Sequence, residues 1–209
     1  MFGILCLGDS IVFGRGEKPA TGWIGRIKND FEKKAFNRCL FNLGYPGETT
    51  KSIKNRFKIE IENRIRNPDL KDKFIIMIGL GINDSRALDS PDNVEVSLDL
   101  YKKNISDLVK IAKKFKSEVI LLGLTPIDEN RVCPFNNLYF SNSRISEYNN
   151  ILMEISSKEQ IYYIDFLNKM KIINNLEISG DGLHPNSKGY EIMYGIIKEF
   201  LEKNKLVDF

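Results

Sequence analysis

The sequence predicts an α/β protein, in which helices cover both faces of a five-stranded, doubly wound parallel sheet to form a three-layer α/β/α sandwich. Two observations support this prediction. Short apolar runs alternate with longer amphipathic segments along all 209 residues, as in repeated βα units. Glycine and proline cluster where the apolar runs end. The alternation has no internal repeat or linker, so we expect a single domain over residues 1–209.

The strands are predicted from apolar runs that are too short to form a long helix. The first run, GILCLG, passes directly into Asp9 and Ser10. Strands are expected at 3–8, 39–43, 74–79, 118–124 and 161–165.

The helices are predicted where apolar residues recur three and four positions apart. Helices are expected at 22–36, 49–66, 94–115, 143–158 and 187–204. One helical stripe is expected to belong to the core, and its members are Leu98, Tyr101, Ile105, Leu108, Ile111, Ala112 and Phe115.

Composition excludes several classes of partner. The 31 basic and 28 acidic residues give a formal charge of +3, which is too weak and too scattered for a nucleic-acid footprint. No apolar run approaches the length that spans a bilayer.

Three distant cysteines form no C-x-x-C pair, and the chain opens on a strand rather than a secretion signal. We therefore expect a reduced, cytoplasmic protein, and the oligomeric state stays open.

Residues suited to nucleophilic catalysis stand at the predicted strand ends. His184 is the only histidine, and histidine is the side chain best suited to exchange protons near neutral pH. Asp181 precedes it by three residues, close enough on a tight turn to accept from one imidazole nitrogen. Ser10 follows the first strand and opens onto the same edge of the sheet, so it is the candidate nucleophile. The alternative role for Ser10 is a helix cap.

Two further strand ends offer hydrogen-bond donors for the oxyanion of a tetrahedral intermediate. Gly44 would supply a backbone N–H and Asn83 a side-chain amide, although both residue types also serve in ordinary turns. Asp84 and Asp165 remain alternatives to Asp181 as the partner of His184.

These residues carry a resemblance to a known family. Gly8-Asp9-Ser10, Gly44, the run from Gly81 to Asp84 and the run from Asp181 to Pro185 resemble, in order and strand position, the four blocks of the SGNH hydrolases. That family is also called the GDSL family of esterases and lipases, and its fold is flavodoxin-like. The resemblance implies a Ser10, His184 and Asp181 triad, with an oxyanion hole formed by the N–H groups of Ser10 and Gly44 and by the Asn83 amide.

The resemblance implies a serine esterase that acts on small-molecule carboxylic esters through an acyl-enzyme, without cofactor or metal. Short acyl or O-acetyl groups are favoured. An acyltransferase, a thioesterase or a lysophospholipase with the same triad is the alternative, and a non-catalytic ligand-binding module is a further one. No His/Cys cluster suited to zinc and no phosphate-binding Gly-Lys loop occurs in the sequence.

The longest irregular stretch, 125–142, exceeds an ordinary connection between a strand and a helix and is expected to be a binding loop. Its apolar residues either line a substrate pocket or pack the loop onto the core. They are Phe135, Leu138, Tyr139 and Phe140.

Overall fold

The computed structural model describes residues 1–66, 71–171 and 175–209. Its strands are β1 (Phe2–Gly8), β2 (Arg38–Gly44), β3 (Lys73–Gly79), β4 (Ala87–Leu88), β5 (Glu118–Leu122), β6 (Leu138–Tyr139) and β7 (Tyr162–Ile164). The five longer strands form one parallel sheet in the order β2-β1-β3-β5-β7, and β4 pairs with β6 in a small antiparallel sheet. The predicted five-stranded parallel sheet is confirmed.

The helices vary widely in length, and the five long ones correspond to the five predicted from periodicity. They are α1 (Ser10–Phe13), α2 (Gly22–Lys33), α3 (Lys54–Arg64), α4 (Ile82–Ser85), α5 (Leu98–Lys113), α6 (Glu129–Val132), α7 (Asn142–Glu159), α8 (Phe166–Lys171), α9 (Asn175–Ile178) and α10 (Ser187–Lys203). The short elements α1, α4, α6, α8 and α9 were not predicted, because a single turn shows no periodicity.

The direction of winding reverses between β1 and β3. The chain passes from β1 to β2 on one side, and then crosses back to β3, β5 and β7 on the other. Because crossovers between parallel strands are right-handed, this reversal puts α2 on one face and α3, α5 and α7 on the opposite face. α10 returns to pack against α2. In such sheets ligands bind at the carboxyl ends of the strands that flank the reversal, here β1 and β3.

The core lies on both faces of the central strands. In β1 every residue from Gly3 to Gly8 is buried, and in β3 the residues from Phe74 to Ile78 are buried, as expected for parallel strands covered by helices. The predicted helical stripe is largely confirmed, since Tyr101, Ile105, Leu108 and Ala112 are fully buried. Leu98 was assigned wrongly, because it begins α5 and is 37% exposed.

Two predicted helices begin later than expected, and for local reasons. The segment from Thr49 to Ile53 is a loop, because the Thr49 N–H donates to Ser52 Oγ and the Thr50 N–H donates to the Asp84 carboxylate. α5 begins at Leu98 rather than at residue 94, because the Ser97 hydroxyl accepts from the Leu100 N–H and caps the helix. Within the described ranges, none of the helices is long and apolar enough to cross a membrane.

Candidate active site

Ser10 and His184 meet at the carboxyl end of β1. Ser10 begins α1 directly after the strand, and the Asp9 carboxylate caps this helix by accepting from the Ile11 N–H at 2.9 Å. His184 lies in the loop that precedes α10, and its Nε2 is 3.0 Å from Ser10 Oγ. The two side chains are 174 positions apart in sequence and both are nearly buried. The contact provides a hydroxyl with a base at hydrogen-bond distance.

Asp181 completes a chain of hydrogen bonds with His184. Its Oδ2 lies 2.6 Å from His184 Nδ1, and its Oδ1 accepts from the backbone N–H groups of Leu183 and His184 at 2.9 and 2.7 Å. Burial raises the pKa of Asp181, but the hydrogen bonds from His184 and Leu183 outweigh it, so that the pKa lies well below the usual range. Asp181 is therefore ionised at neutral pH and can stabilise an imidazolium.

The two alternative partners of His184 are engaged elsewhere. The Asp165 carboxylate accepts from the N–H and the side-chain amide of Asn168. The Asp84 carboxylate accepts from Thr50. Of the three candidate carboxylates, the structure places Asp181 beside the imidazole.

The Asn83 side chain is buried at the beginning of α4, after β3. Its Nδ2 donates to Glu48 O at 3.1 Å, which leaves the second N–H of the amide for another acceptor. Its Oδ1 accepts from Arg86 Nη1 at 3.2 Å. This contact keeps the amide oxygen towards Arg86 and the amide nitrogen towards Glu48. The Arg86 Nε is in turn paired with Glu95 at 2.5 Å. Arg86 was missed by the sequence reasoning, since an arginine at the end of a single-turn helix carries no local signal.

Gly44 lies at the end of β2, beside Gly8 in the ladder. Its N–H donates to Asn42 Oδ1 at 3.0 Å, so a role as an oxyanion donor requires that this bond be shared or broken. A Cβ on Gly44 would lie 2.3 Å from the Phe13 nitrogen, which shows how closely β2 approaches α1. The oxyanion role of Gly44 stays a prediction.

Gly47 lies three residues later and is a second possible donor that the sequence reasoning missed. Its φ of +83° favours glycine, and a Cβ there would meet nothing within 4 Å. Among the described residues, the Gly47 N–H has no hydrogen-bond acceptor. The signal in the sequence was Pro46-Gly47, a common turn dipeptide.

Two buried carboxylates accompany the site. Burial raises the pKa of Asp9 to about 6, although the hydrogen bond from the Ile11 N–H and the nearby His184 oppose the shift. Burial likewise raises the pKa of Asp84 to about 7, against hydrogen bonds from the Thr50 side chain and backbone. Neither group contacts the Ser10 hydroxyl, and each accepts hydrogen bonds from a segment that carries a candidate site residue.

The long loop 125–142 contacts the catalytic loop. The Asp128 N–H donates to Gly182 O at 2.8 Å, and Arg131 Nη2 donates to Gly180 O at 2.5 Å. A Cβ on Gly182, whose φ is +90°, would lie 2.8 Å from the Arg131 Cβ, so the two loops are in direct contact. The loop therefore braces the turn that carries Asp181 and His184.

The aromatic and aliphatic residues of this loop lie in different environments. Phe140 is 1% exposed and belongs to the hydrophobic core, and Leu138 packs against that core. Leu138 and Tyr139 form β6, whereas Phe135 is 44% exposed. The burial of Phe140 and Leu138 is explained by packing of the loop onto the core. A role as pocket walls stays a prediction for all four residues.

In the part of the chain that the structure describes, no group of three or more His, Cys, Asp or Glu side chains is arranged to hold a metal ion. Its three cysteines are free thiols.

Comparisons with known proteins show the family. A model of the GDSL-like Lipase/Acylhydrolase family matches residues 6–192. The isoamyl acetate-hydrolyzing esterase 1 homolog of Mus musculus is 26% identical over 96% of this chain and 81% of the mouse protein.

Solved structures share the fold. A lipase/acylhydrolase from Enterococcus faecalis has a TM-score of 0.76 and 23% identity, over 98% of this chain and 97% of that one. The acetyl xylan esterase Axe2 from Geobacillus stearothermophilus has a TM-score of 0.71 and 22% identity, over 96% and 93%. Because the family model matches most of its length, the chain belongs to the GDSL-like lipase/acylhydrolase family and is a carboxylic ester hydrolase.

Proposed function

We propose that the chain hydrolyses esters of short acyl groups through a covalent acyl-enzyme, with Ser10 as nucleophile. The observation that carries this proposal is the continuous chain of hydrogen bonds from Ser10 Oγ through the His184 imidazole to Asp181. A serine hydroxyl is a weak nucleophile until a base takes its proton, and here the base is itself oriented by a carboxylate.

In the proposed reaction, Ser10 Oγ attacks the ester carbonyl while His184 Nε2 takes the hydroxyl proton. Asp181 stabilises the imidazolium without taking a proton itself. The oxyanion is bound by the Asn83 amide, by the Ser10 N–H and by the N–H of Gly44 at the end of β2 or of Gly47 in the loop that follows. Collapse of the intermediate expels the alcohol, which receives its proton from His184. Water then attacks the acyl-enzyme with His184 as base, and releases the carboxylic acid and the free serine.

The preference for short acyl groups is supported by the names of two relatives. The mouse relative is named for isoamyl acetate, and the Geobacillus esterase is named for acetyl xylan. Both names describe an acetyl ester, although the alcohols differ greatly. We therefore expect the acyl group, rather than the alcohol, to be the feature this chain shares with them.

The test is hydrolysis of p-nitrophenyl esters from acetate to palmitate, together with labelling by a fluorophosphonate. Wild type should be labelled and should turn over acetate and butyrate faster than long-chain esters. Ser10→Ala should lose both turnover and labelling. Ser106→Ala is the matched control, because Ser106 lies on the exposed side of α5 and its hydroxyl donates only to Lys102 O within that helix.

Failure of wild type to be labelled would contradict the proposed nucleophile. Labelling with a preference for palmitate would contradict the short acyl group but keep the triad. Adding an acceptor alcohol tests the acyltransferase alternative, since transesterified product in excess of free acid would assign the second half-reaction to an acceptor other than water.

A further inference from the structure

Two segments that follow the strands on either side of β1 meet at the edge of the sheet where Ser10 lies. One is the loop from Tyr45 to Ile53, which we call the β2 loop, and the other is α4, which follows β3. Asn83 Nδ2 of α4 donates to Glu48 O of the β2 loop at 3.1 Å. The position of the Asn83 amide therefore depends on the position of this loop.

A second set of contacts ties the same two segments together. The Thr50 N–H donates to both oxygens of Asp84, at 2.9 and 3.1 Å, and Thr50 Oγ1 donates to Asp84 Oδ1 at 2.5 Å. Asn104 of α5 donates to Thr50 Oγ1 at 3.0 Å, which orients the hydroxyl so that its proton is directed to Asp84. Thr50 and Asp84 are both fully buried.

Burial of the Asp84 carboxylate is unfavourable for the free energy of folding. Among the described residues, no lysine, arginine or histidine forms an ion pair with Asp84, and the neighbouring Arg86 is paired with Glu95. A buried carboxylate without a cation costs free energy of folding relative to a neutral side chain of similar size. The rise in the pKa of Asp84 to about 7, mainly through burial, has the same origin. Stability alone therefore does not account for an aspartate at this position.

The hydrogen bonds between Thr50 and Asp84, which we call the Thr50–Asp84 tie, lie next to the part of the β2 loop that carries the candidate donor Gly47 and the Asn83 contact. Thr50 is three residues after Gly47 and two after Glu48, so its attachment to Asp84 fixes the end of the segment that carries both. Arg56 holds the earlier end of this segment, because it pairs with Glu48 and also donates to Leu43 O, just before the loop, at 2.8 Å. The loop is thus held at both ends, and Asp84 joins it to α4 together with the contact between Asn83 and Glu48.

We propose that Asp84 is a positioning residue for ester hydrolysis, which acts through Thr50 to hold the β2 loop and Asn83 in one fixed arrangement. Donors from two different strands then converge on the same oxyanion. This inference rests on the proposed function, because the arrangement matters only if an oxyanion forms next to Ser10.

The experiment compares Asp84→Asn and Thr50→Val with wild type, using p-nitrophenyl acetate and the fluorophosphonate labelling rate. Each variant should lower kcat by about 10- to 100-fold with KM within about threefold, since a small displacement of oxyanion donors affects the transition state more than the bound ester. Asp84→Asn should not lower the melting temperature at pH 8, because it removes a buried charge. The double variant should be about as impaired as the worse single one.

Matched variants separate positioning from general damage. Thr50→Ser keeps the hydroxyl donor and should retain kcat within about threefold, as a conservative rescue. Asp107→Asn removes a half-exposed carboxylate on α5, whose contact is with Lys54, and should behave as wild type. Hydrogen exchange of the Thr50 amide, followed by NMR, should be faster in Asp84→Asn, and this readout does not depend on turnover.

The outcomes are distinct. Unchanged kcat in folded Asp84→Asn and Thr50→Val, beside an active wild type and an inactive Ser10→Ala, would overturn the positioning role and leave the proposed function intact. Unchanged exchange of the Thr50 amide would overturn the tie itself. If wild type were neither labelled nor active, the proposed function would be contradicted, and the positioning role of Asp84 in ester hydrolysis would be contradicted with it.

Discussion

Asp181 binds both the side chain and the backbone of His184: one carboxylate oxygen lies 2.6 Å from Nδ1, and the other accepts from the His184 N–H at 2.7 Å. A spacing of three residues makes this double contact possible, because a tight turn brings the backbone N–H and the ring to the same side of the carboxylate. One side chain thus sets both the conformation of the loop and the orientation of the imidazole.

Asp181→Asn is expected to lower kcat by about two to four orders of magnitude, since a neutral amide neither stabilises an imidazolium nor secures the required tautomer. KM for p-nitrophenyl acetate should change little. Asp165→Asn is the control, because Asp165 contacts only its local neighbour Asn168. Steady-state kinetics at pH 8 would decide the matter, and equal activity of the two variants would contradict the assignment of Asp181.

Asn83→Ala is expected to lower kcat by about 10²- to 10³-fold, the usual effect of removing one oxyanion donor. The matched control is Asn204→Ala, at the exposed carboxyl end of α10, which should leave kcat unchanged. Circular dichroism should show that both variants are folded. If Asn83→Ala had the turnover of wild type, the Asn83 amide would have no part in binding the oxyanion.

Two glycine-to-alanine substitutions should change stability in opposite directions. A Cβ at Gly44 would lie 2.3 Å from the Phe13 nitrogen, so Gly44→Ala should lower the free energy of unfolding by about 1–3 kcal/mol. A Cβ at Gly195 in α10 meets nothing within 4 Å, so Gly195→Ala should raise it by about 0.5–1 kcal/mol. Urea denaturation measures both values. A Gly44→Ala chain as stable as wild type would mean that β2 and α1 are less closely packed than described.

The pH dependence of stability should report the buried Asp84. Burial raises its pKa to about 7, whereas an aspartate in the unfolded chain titrates at about 3.9. Between these values the folded chain binds a proton that the unfolded chain does not. The contribution of Asp84 is therefore fully present below about pH 4 and is lost as the pH rises towards about 7. Asp9, whose pKa is raised to about 6, acts in the same direction.

Thermal unfolding at pH 5 and pH 8 tests this expectation. The melting temperature of wild type should fall more between the two values than that of Asp84→Asn, which cannot titrate. Groups whose pKa is lowered, such as Asp181 and Glu17, change protonation at more acidic pH and do not contribute in this window. Identical pH dependence in the two proteins would show that Asp84 keeps an ordinary pKa in the folded chain.

Much of the fold was predictable because the strands of a doubly wound sheet are local, nearly continuous apolar runs. The first strand was predicted at 3–8 and extends from Phe2 to Gly8, and the last long helix was predicted at 187–204 and ends at Lys203. The errors occur where a side chain far away in sequence competes for backbone donors. Thr49 and Thr50 are compatible with a helix, but the Thr50 N–H is used by Asp84, which lies 34 positions away.

Local periodicity and short motifs were enough to predict the order of strands and helices along the chain, the family and the residue types at the strand ends. Which of these residues meet depends on the folded arrangement of the chain. In the folded chain, Asp181 rather than Asp84 or Asp165 contacts His184. The Gly44 N–H donates to Asn42, and Arg86 contacts the Asn83 amide. The reason is physical: a hydrogen bond depends on distance and direction in space, and residues distant in sequence acquire these only when the sheet and its loops are assembled.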